Sequence, residues 1–438
     1  MMISRVYLFL TFALLSESLF ATGYQVLLQG NRQAAMGNLG VALNPDASSV
    51  FWNPGALAFM DFNQLTAGGN LIFATNSYWD SSSPGSQYTA RTKNDLGTPF
   101  FLYAAWSPAG WPVKFAAGFY TPFGNRVNWG DWNGRGILRE VNLASFYMQP
   151  TVSWKITDRL SVGGGVILAF GRVELNRSLP IDYNQGNATA AIEGNADLKA
   201  GFNVGILFKA SEKINIGASY RSKIKMEVKD GETHFDIPAS LAPNLFGPGV
   251  NYEAITFDAS LPLPAAVNLG VAYMPDSKVT ISFEASLTEW SEYQFFALEY
   301  SSPVLGESRQ SSPRSYENSW AVKLGASYKM NGKFTFRAGA YYDESPVQKG
   351  YLTPETPDQD RFNMTAGLSF RFAEDWTMDL AYLWVNGQKR QQSYEDGLAA
   401  GTIVAPDPGR GISGFQAIQP GTYRSWAHIA GFSLSYTF

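Results

Sequence analysis

The chain has 438 residues, with 33 Lys+Arg against 37 Asp+Glu, a formal charge of -4 and 16% charged residues, where a soluble domain carries roughly 25%. Aromatics reach 15% while mean hydropathy is only -0.13, and the sequence holds none of the apolar runs of about 20 residues that a helical membrane bundle needs. These values exclude such a bundle and, with no basic stretch in view, nucleic-acid binding; they suit a membrane β-barrel, whose strands are apolar at alternate positions only.

Met1 to Arg5 form a short basic start, Val6 to Leu15 an apolar core too short to span a bilayer, and a polar stretch leads to Ala21. That order is a secretory signal peptide, read as residues 1–21. The chain has no Cys, so the exported fold needs no disulfide, and thiolate metal sites and Cys nucleophiles are excluded.

The next segment, residues 22–62, is rich in Gly, Ala and Asn, lacks strand alternation and contains Asn53-Pro54-Gly55. Its apolar anchors Phe51, Trp52, Leu57 and Phe59 need a place to be buried, and the reading favoured is a plug in a barrel lumen.

Residues 63–438 carry one repeated pattern. Phe432, Leu434, Tyr436 and Phe438 alternate with Ser433, Ser435 and Thr437, and the same period of two recurs in Met364–Phe372, Phe334–Tyr342, Val322–Tyr328, Val267–Tyr273, Ile214–Tyr220, Phe202–Phe208 and Phe146–Ile156. Short links (Ser107–Trp111, Thr157–Arg159, Ser211–Lys213, Pro275–Ser277, Asn331–Gly332, Glu374–Asp375) alternate with long ones (near Trp79–Leu96, Pro122–Glu140, Arg177–Asn195, Lys229–Pro262, Ser301–Tyr316, Glu344–Asp360 and Gln391–Ser425). Short turns on one side and long loops on the other mark an outer-membrane barrel, and counting gives about 14 antiparallel strands. The predicted fold is therefore all-β, a transmembrane antiparallel barrel of about 14 strands with an amino-terminal plug. Trp106, Trp111, Trp154, Trp290, Trp376, Trp384 and Trp426 fall near strand ends and are expected in interfacial girdles.

Catalytic chemistry finds little support. His234 falls in a long loop, and His428 shares the parity of Ala430 and Phe432, which points it at lipid. Asp358 and Asp360 are expected to be solvated or paired with a neighbour such as Arg361. No nucleophile–base pair, phosphate cradle or metal-ligand spacing appears, so no catalytic residue, metal ligand or cofactor is assigned. Parity places Lys155, Arg221, Lys323, Arg337, Arg371, Glu284 and Asp379 inside the barrel, either as a paired lumen wall or, for the arginines, as a site for an anionic headgroup. The loop Lys229–Pro262 offers Ile237, Leu241, Leu245, Phe246 and Ile255, either packed on one another or exposed as an apolar landing site.

Ordered motifs resemble the FadL-type family of long-chain fatty acid and aromatic hydrocarbon transporters: Gly23-Tyr24-Gln25-Val26, Asp46-Ala47, Asn53-Pro54-Gly55-Ala56-Leu57, Tyr220-Arg221-Ser222, Trp290-Ser291-Glu292-Tyr293, Phe336-Arg337-Ala338-Gly339, Asp343-Glu344-Ser345-Pro346-Val347 and Pro357-Asp358-Gln359-Asp360-Arg361. The family pattern at the third of these is Asn-Pro-Ala, from which Gly55 departs. The resemblance implies a 14-stranded barrel with an amino-terminal hatch, passive uptake of a hydrophobic compound, and lateral exit at a kinked strand, here near Val113–Gly124 where Gly118 and Pro122 permit irregular backbone. It implies Asn53, Pro54, Gly55 and Gly118 as gate and hatch residues, and Arg337, Arg371, Lys323, Leu241, Leu245 and Phe246 as substrate-binding. A basic residue that the family places near the carboxylate is replaced around Glu317, with Arg314 and Lys323 close by. The expected cargo is a long-chain fatty acid, the expected surroundings are outer-membrane lipid and lipopolysaccharide, and the expected state is a monomer. A general porin and a surface-binding or adhesion barrel are the alternatives.

Overall fold

A computed structural model describes residues 23–81, 85–179, 188–405 and 415–438; the signal peptide lies outside the described residues. Fourteen antiparallel wall strands form the barrel. They are β1 (Gln64–Asp80), β2 (Phe100–Trp106), β3 (Val113–Tyr120, resuming as Gly124–Asn128), β4 (Glu140–Lys155), β5 (Leu160–Ser178), β6 (Thr189–Ser211) and β7 (Ile214–Arg221, then Ile224–Asp236). They continue as β8 (Thr256–Leu263, then Ala266–Tyr273), β9 (Val279–Thr288, then Phe295–Val304), β10 (Glu307–Pro313, then Ser319–Lys329), β11 (Phe334–Asp343), β12 (Arg361–Arg371), β13 (Trp376–Gly387) and β14 (Gly421–Thr437). The sheet closes where β14 pairs with β1 from Gln64↔Thr437 to Asp80↔Gly421, and closure lets neighbouring strands satisfy each other's backbone within lipid. Short extra strands, Thr89–Arg91 and Arg390–Gln392, extend this seam.

Alternation sets the two faces. Along β14, Phe432 is half exposed while Ser433 and Ser435 are buried. Trp106, Trp111, Trp154, Trp376 and Trp384 are exposed as girdle residues should be, but Trp290 is completely buried. It sits in a single 3-10 turn, Trp290–Glu292, that interrupts β9 and tucks the indole inward. His428 is exposed, with its Nδ1 2.7 Å from the Tyr382 hydroxyl. The expected long link Ser301–Tyr316 is mostly strand: β9 and β10 form a hairpin around Leu305-Gly306, both at positive φ as a tight turn demands.

The amino-terminal segment, described from Gly23, fills the lumen. Phe51, Trp52 and Leu57 are buried, and Phe59 lies under the Lys209 ammonium at 3.9 Å. Its few helical turns are short, so its carbonyls must find partners elsewhere, and polar side chains of the wall provide them. Gln149 Nε2 donates to Val50 O (2.7 Å), Arg221 to Phe51 O (2.6 Å), Asn215 Nδ2 to Ala42 O (3.3 Å), Thr365 Oγ1 to Ala35 O (3.0 Å), and both Ser153 and Ser161 hydroxyls to Gly55 O (3.0 and 2.7 Å). The inward Ser, Asn and Thr residues are thus a docking surface.

Glycines in the wall let the segment approach. A Cβ on Gly217 would lie 2.1 Å from Val41 O, and one on Gly325 2.1 Å from Met36 O. Gly217→Val should therefore overpack this contact by about 1–3 kcal/mol and loosen the segment while the barrel still forms. The expected result is frequent ion-conducting openings in planar bilayers; a conductance as quiet as the wild type would show that the segment does not depend on this seat.

Candidate functional site

The wall strands break at similar positions along their lengths. β3 is interrupted at Thr121–Phe123, β7 at Ser222–Lys223, β8 at Pro264–Ala265, β9 at Glu289–Gln294 and β10 at Arg314–Asn318. On the outer side of the breaks the inward residues change character. Val141, Leu175, Ile192, Met226, Val228 and Phe257 replace the Ser and Asn of the inner half, and all are buried. They line an apolar cavity of about 90 Å³ that also receives Tyr24, Tyr293, Phe296, Arg314 and Glu355.

Two arginines line this cavity: Arg172, half exposed and paired with Glu174 and Glu193, and Arg314, which is buried. The Arg314 side chain is 3% exposed and lies 3.5 Å from Glu355 Oε1. Its guanidinium donates to the Ser312 hydroxyl (2.6 Å) and the Tyr293 hydroxyl (3.4 Å) and stacks toward Phe296 at 5.7 Å. A buried guanidinium among aromatic rings is costly unless an anion faces it, and Glu355 supplies that carboxylate here.

A second, larger cavity of about 520 Å³ adjoins the first, and Tyr24, Asn125, Leu143, Ala144 and Thr356 line both. It runs from the lumenal residues Tyr24, Val26 and Leu28 to the outward-facing Phe100 and Phe146. A gap in the wall makes this possible. Beyond Thr121, β3 loses its β2 partner, because residues 97–99 lean away to β1 (Ile72 N to Gly97 O 2.8 Å, Asn70 N to Pro99 O 2.9 Å). The outer part of β3 then pairs as a strand with β4, and on its other side it is held again only at its end, where Lys93 N donates to Asn128 O (2.8 Å) and Asn128 N to Asn94 Oδ1 (2.8 Å). Pro122 fits this break, since it has no N–H for a ladder. Gly118 lies three residues away in regular pairing with Tyr103 and Gln149. Its role is different: a Cβ there would meet the Tyr103 ring at 2.9 Å and Val50 at 3.0 Å.

The amino-terminal segment stoppers this gap from inside. Val26 N donates to Pro122 O (2.8 Å), Gly124 N donates to Tyr24 O (3.1 Å), and Gln25 forms an antiparallel bridge with Phe123. Two further contacts fix the stopper. Gly23 N donates to Asp358 Oδ2 at 3.1 Å. The Tyr24 ring packs edge-on against Trp290 at 4.6 Å, and its hydroxyl donates to Pro262 O. Asp358 is also paired with Arg361, the neighbour expected from the sequence.

Deeper in the segment, Asn53 is fully satisfied. Its Oδ1 accepts from Gly55 N (3.0 Å), and its Nδ2 donates to Val41 O (2.7 Å) and, across to the wall, Ile206 O (2.9 Å). Pro54 opens the 3-10 turn Pro54–Phe59. Gly55 is required at this seat, because a Cβ there would lie 2.6 Å from Gly205 O; the departure from Asn-Pro-Ala follows from how close the wall comes.

The other residues singled out in the sequence go elsewhere. Lys323 is buried against Glu284 at 2.8 Å, and Glu284 Oε2 accepts from Gly40 N and Val41 N at 3.1 Å each. Arg337 donates to Ser369, which donates in turn to Asp379, and Asp379 holds Arg32 at 3.0 Å. Arg371 is exposed at the inner rim. None of these three basic residues lines either cavity, and two of them belong to the docking of the amino-terminal segment. Leu241, Leu245 and Phe246 are buried at 5–7% exposure, with Phe246 packed on Phe235 at 4.7 Å and Tyr252 at 5.2 Å. They are loop core continuous with the cavity walls, not an exposed landing surface. Sequence reasoning missed Glu355 and gave Arg314 no role beyond proximity. The available signal was parity in Val141–Leu143 and Ile224–Val228, where inward positions turn apolar and require an apolar lumen.

A 14-stranded barrel, plugged by its own amino-terminal segment and carrying a stoppered gap in its wall beside an apolar cavity, defines a transport barrel of the outer membrane. The family model described as "Outer membrane protein transport protein (OMPP1/FadL/TodX)" matches residues 12–438. The chain belongs to that family, and it is an outer-membrane transporter of hydrophobic compounds. It is 24% identical to the long-chain fatty acid transport protein of Escherichia coli O6:H1, covering 89% of this chain and 92% of that protein. It is also 24% identical to outer membrane protein P1 of Haemophilus influenzae, covering 83% and 85%. Among solved structures, a Pseudomonas aeruginosa FadL homologue superposes with a TM-score of 0.77 at 20% identity, covering 95% of this chain and 99% of that one. The P. putida toluene transporter TodX does so at 0.65 and 16%, covering 96% and 99%.

Proposed function

We propose that the protein takes up long-chain fatty acids passively, binding the carboxylate at Arg314 and the chain in the apolar cavity, and releasing the molecule sideways through the gap beside β3. The observation that carries this reading is the double duty of Tyr24–Val26, which separates the two cavities and hydrogen-bonds the broken strand. A long acyl chain needs more room than the Arg314 cavity of about 90 Å³ offers, so filling it must push Tyr24, which lines it, and moving Tyr24 opens the gap. Residues 22–62 then act as a hatch, hinged where Asn53, Pro54 and Gly55 hold it to the wall. Lateral exit suits the cargo, because an apolar chain gains nothing from an aqueous pore and gains its transfer free energy on entering lipid. The buried guanidinium favours an acid over an uncharged arene, which would leave that charge without use.

The test is uptake of labelled oleate by cells whose own transporter is deleted, with and without this protein, and with labelled toluene in parallel. Oleate uptake should rise at least about tenfold, a difference of about 1.4 kcal/mol in effective barrier, and Arg314→Gln should remove most of the gain. Equal oleate uptake with and without the protein would refute the cargo, and a toluene-only gain would replace it.

A further inference from the structure

Glu355 has no part in the route just described, yet it lines the cavity beside Arg314. Its side chain is 16% exposed, and Oε1 lies 3.5 Å from Arg314, a long contact for a buried pair. The other oxygen, Oε2, is buried with no hydrogen-bond partner among the described residues. A carboxylate chosen for stability at this position would have both oxygens satisfied, because an unpaired buried lone pair costs about 1–3 kcal/mol. The backbone around it is well held. Asn125 Nδ2 donates to Glu355 O at 2.5 Å, and Trp129 Nε1 donates to Pro354 O at 3.1 Å. The main chain is therefore anchored to the outer part of β3 while the carboxyl group is loosely tied.

We propose that Glu355 is a built-in stand-in for the substrate carboxylate: it neutralises Arg314 while the cavity is empty and swings aside when an acid arrives. Arg314 faces one carboxylate in both states while the displaced Glu355 carries its own charge out of the pair, and the loop need not move, since only the side chain rotates. An arriving acid exchanges a poorly made pair for one that it can make closely with the planar fork of Arg314. An uncharged chain of the same length has nothing to displace. Glu355 thus sets the affinity for acids separately from the affinity for apolar chains. This inference rests on the assignment of Arg314 as the anion site.

The test uses the full-length protein in detergent with oleate and oleyl alcohol as probes, measured by calorimetry on wild type, Glu355→Gln and Glu355→Asp. The aspartate keeps the negative charge but draws it back from Arg314. If a competitor fills the site about nine-tenths of the time, its removal tightens the apparent affinity about tenfold. Both variants should therefore bind oleate about tenfold more tightly, with oleyl alcohol unchanged. Tightening in Glu355→Gln alone would mean that Glu355 acts through its field and not as an occupant, and would overturn the inference. So would unchanged oleate binding in both variants. Arg314→Gln and Arg314→Lys separate the two levels: weakened oleate binding in either, beside unaltered Glu355 variants, sinks the stand-in and leaves the cargo reading. Full oleate affinity in both Arg314 variants, confirmed folded by heat-shifted gel migration, removes the anion site and the stand-in together.

Discussion

A cysteine pair at Gln25 and Phe123 should abolish transport when oxidised and restore it when reduced. The chain has no cysteine of its own, so the pair can form only with itself. Gln25 and Phe123 face each other across the bridge between the amino-terminal segment and β3, flanked by the Val26 N to Pro122 O and Gly124 N to Tyr24 O bonds. That pattern is the non-hydrogen-bonded antiparallel pair, whose Cα atoms approach to about 4.5 Å, within the range a disulfide spans. The cross-link would bind the stopper to the broken strand without touching the cavity that holds the cargo. Oleate uptake by cells carrying Gln25→Cys/Phe123→Cys should fall by at least about tenfold under oxidation, a change of about 1.4 kcal/mol in the barrier, and recover with a membrane-permeant reductant. Each single mutant should be insensitive to redox state. Full uptake by the oxidised double mutant, with the cross-link verified by mass spectrometry, would show that Tyr24–Val26 need not move and would send the exit route elsewhere.

The barrel was legible because lipid leaves the sequence little choice. Every residue that crosses the apolar layer facing outward must be apolar, so period-two alternation is strong in β11, β12 and β14. The hairpin of β9 and β10 escaped the same reading. It projects beyond the lipid, where Ser301, Ser302, Glu307, Ser308 and Arg309 can be polar on both faces, and the alternation that marks a strand disappears. Trp290 was misplaced for a related reason. Proximity to a strand end is compatible with a girdle position and with a buried turn, and only the interruption of β9 decides between them.

Parity correctly put Lys323, Arg337 and Asp379 inside, yet it could not name their partners. Arg32 meets Asp379 across 347 positions of sequence, and Glu284 meets Gly40 across 244. These contacts exist because the amino-terminal segment folds back into the lumen, an event with no periodic signature. The same holds for the site. Tyr24, Pro122, Arg314 and Glu355 lie on four separate parts of the chain, and each alone reads as an ordinary residue. What could be read was the motif order, which located Gly23–Val26 and Asn53–Gly55 but not what they touch.

The largest effect on stability should come from Glu284→Ala. Lys323 and Glu284 are each 1% exposed in their side chains and 2.8 Å apart. Glu284 also accepts the Gly40 and Val41 amides, so one carboxylate balances a buried ammonium and caps two backbone donors of the plug. Removing it leaves an uncompensated buried charge, which costs about 3–5 kcal/mol. The Lys323 ammonium lies 5.7 Å from the Trp52 ring, an attraction of about 0.5–2 kcal/mol, too weak to replace a carboxylate. Two consequences differ in kind. The barrel ladder is untouched, since Glu284 and Lys323 are register partners on β9 and β10 through their backbones whatever their side chains. The plug, in contrast, loses its hold on residues 40–41. Urea titration in detergent, followed by indole fluorescence, should show an early transition for the plug that is absent in the wild type, with the barrel transition close to its original midpoint. The double mutant Glu284→Gln/Lys323→Met should recover much of the loss, because it removes the charge problem and keeps an acceptor for the two amides. A double mutant as unstable as Glu284→Ala would mean that the charge itself fastens the plug, and that the pair is more than a neutralised hydrogen-bond acceptor.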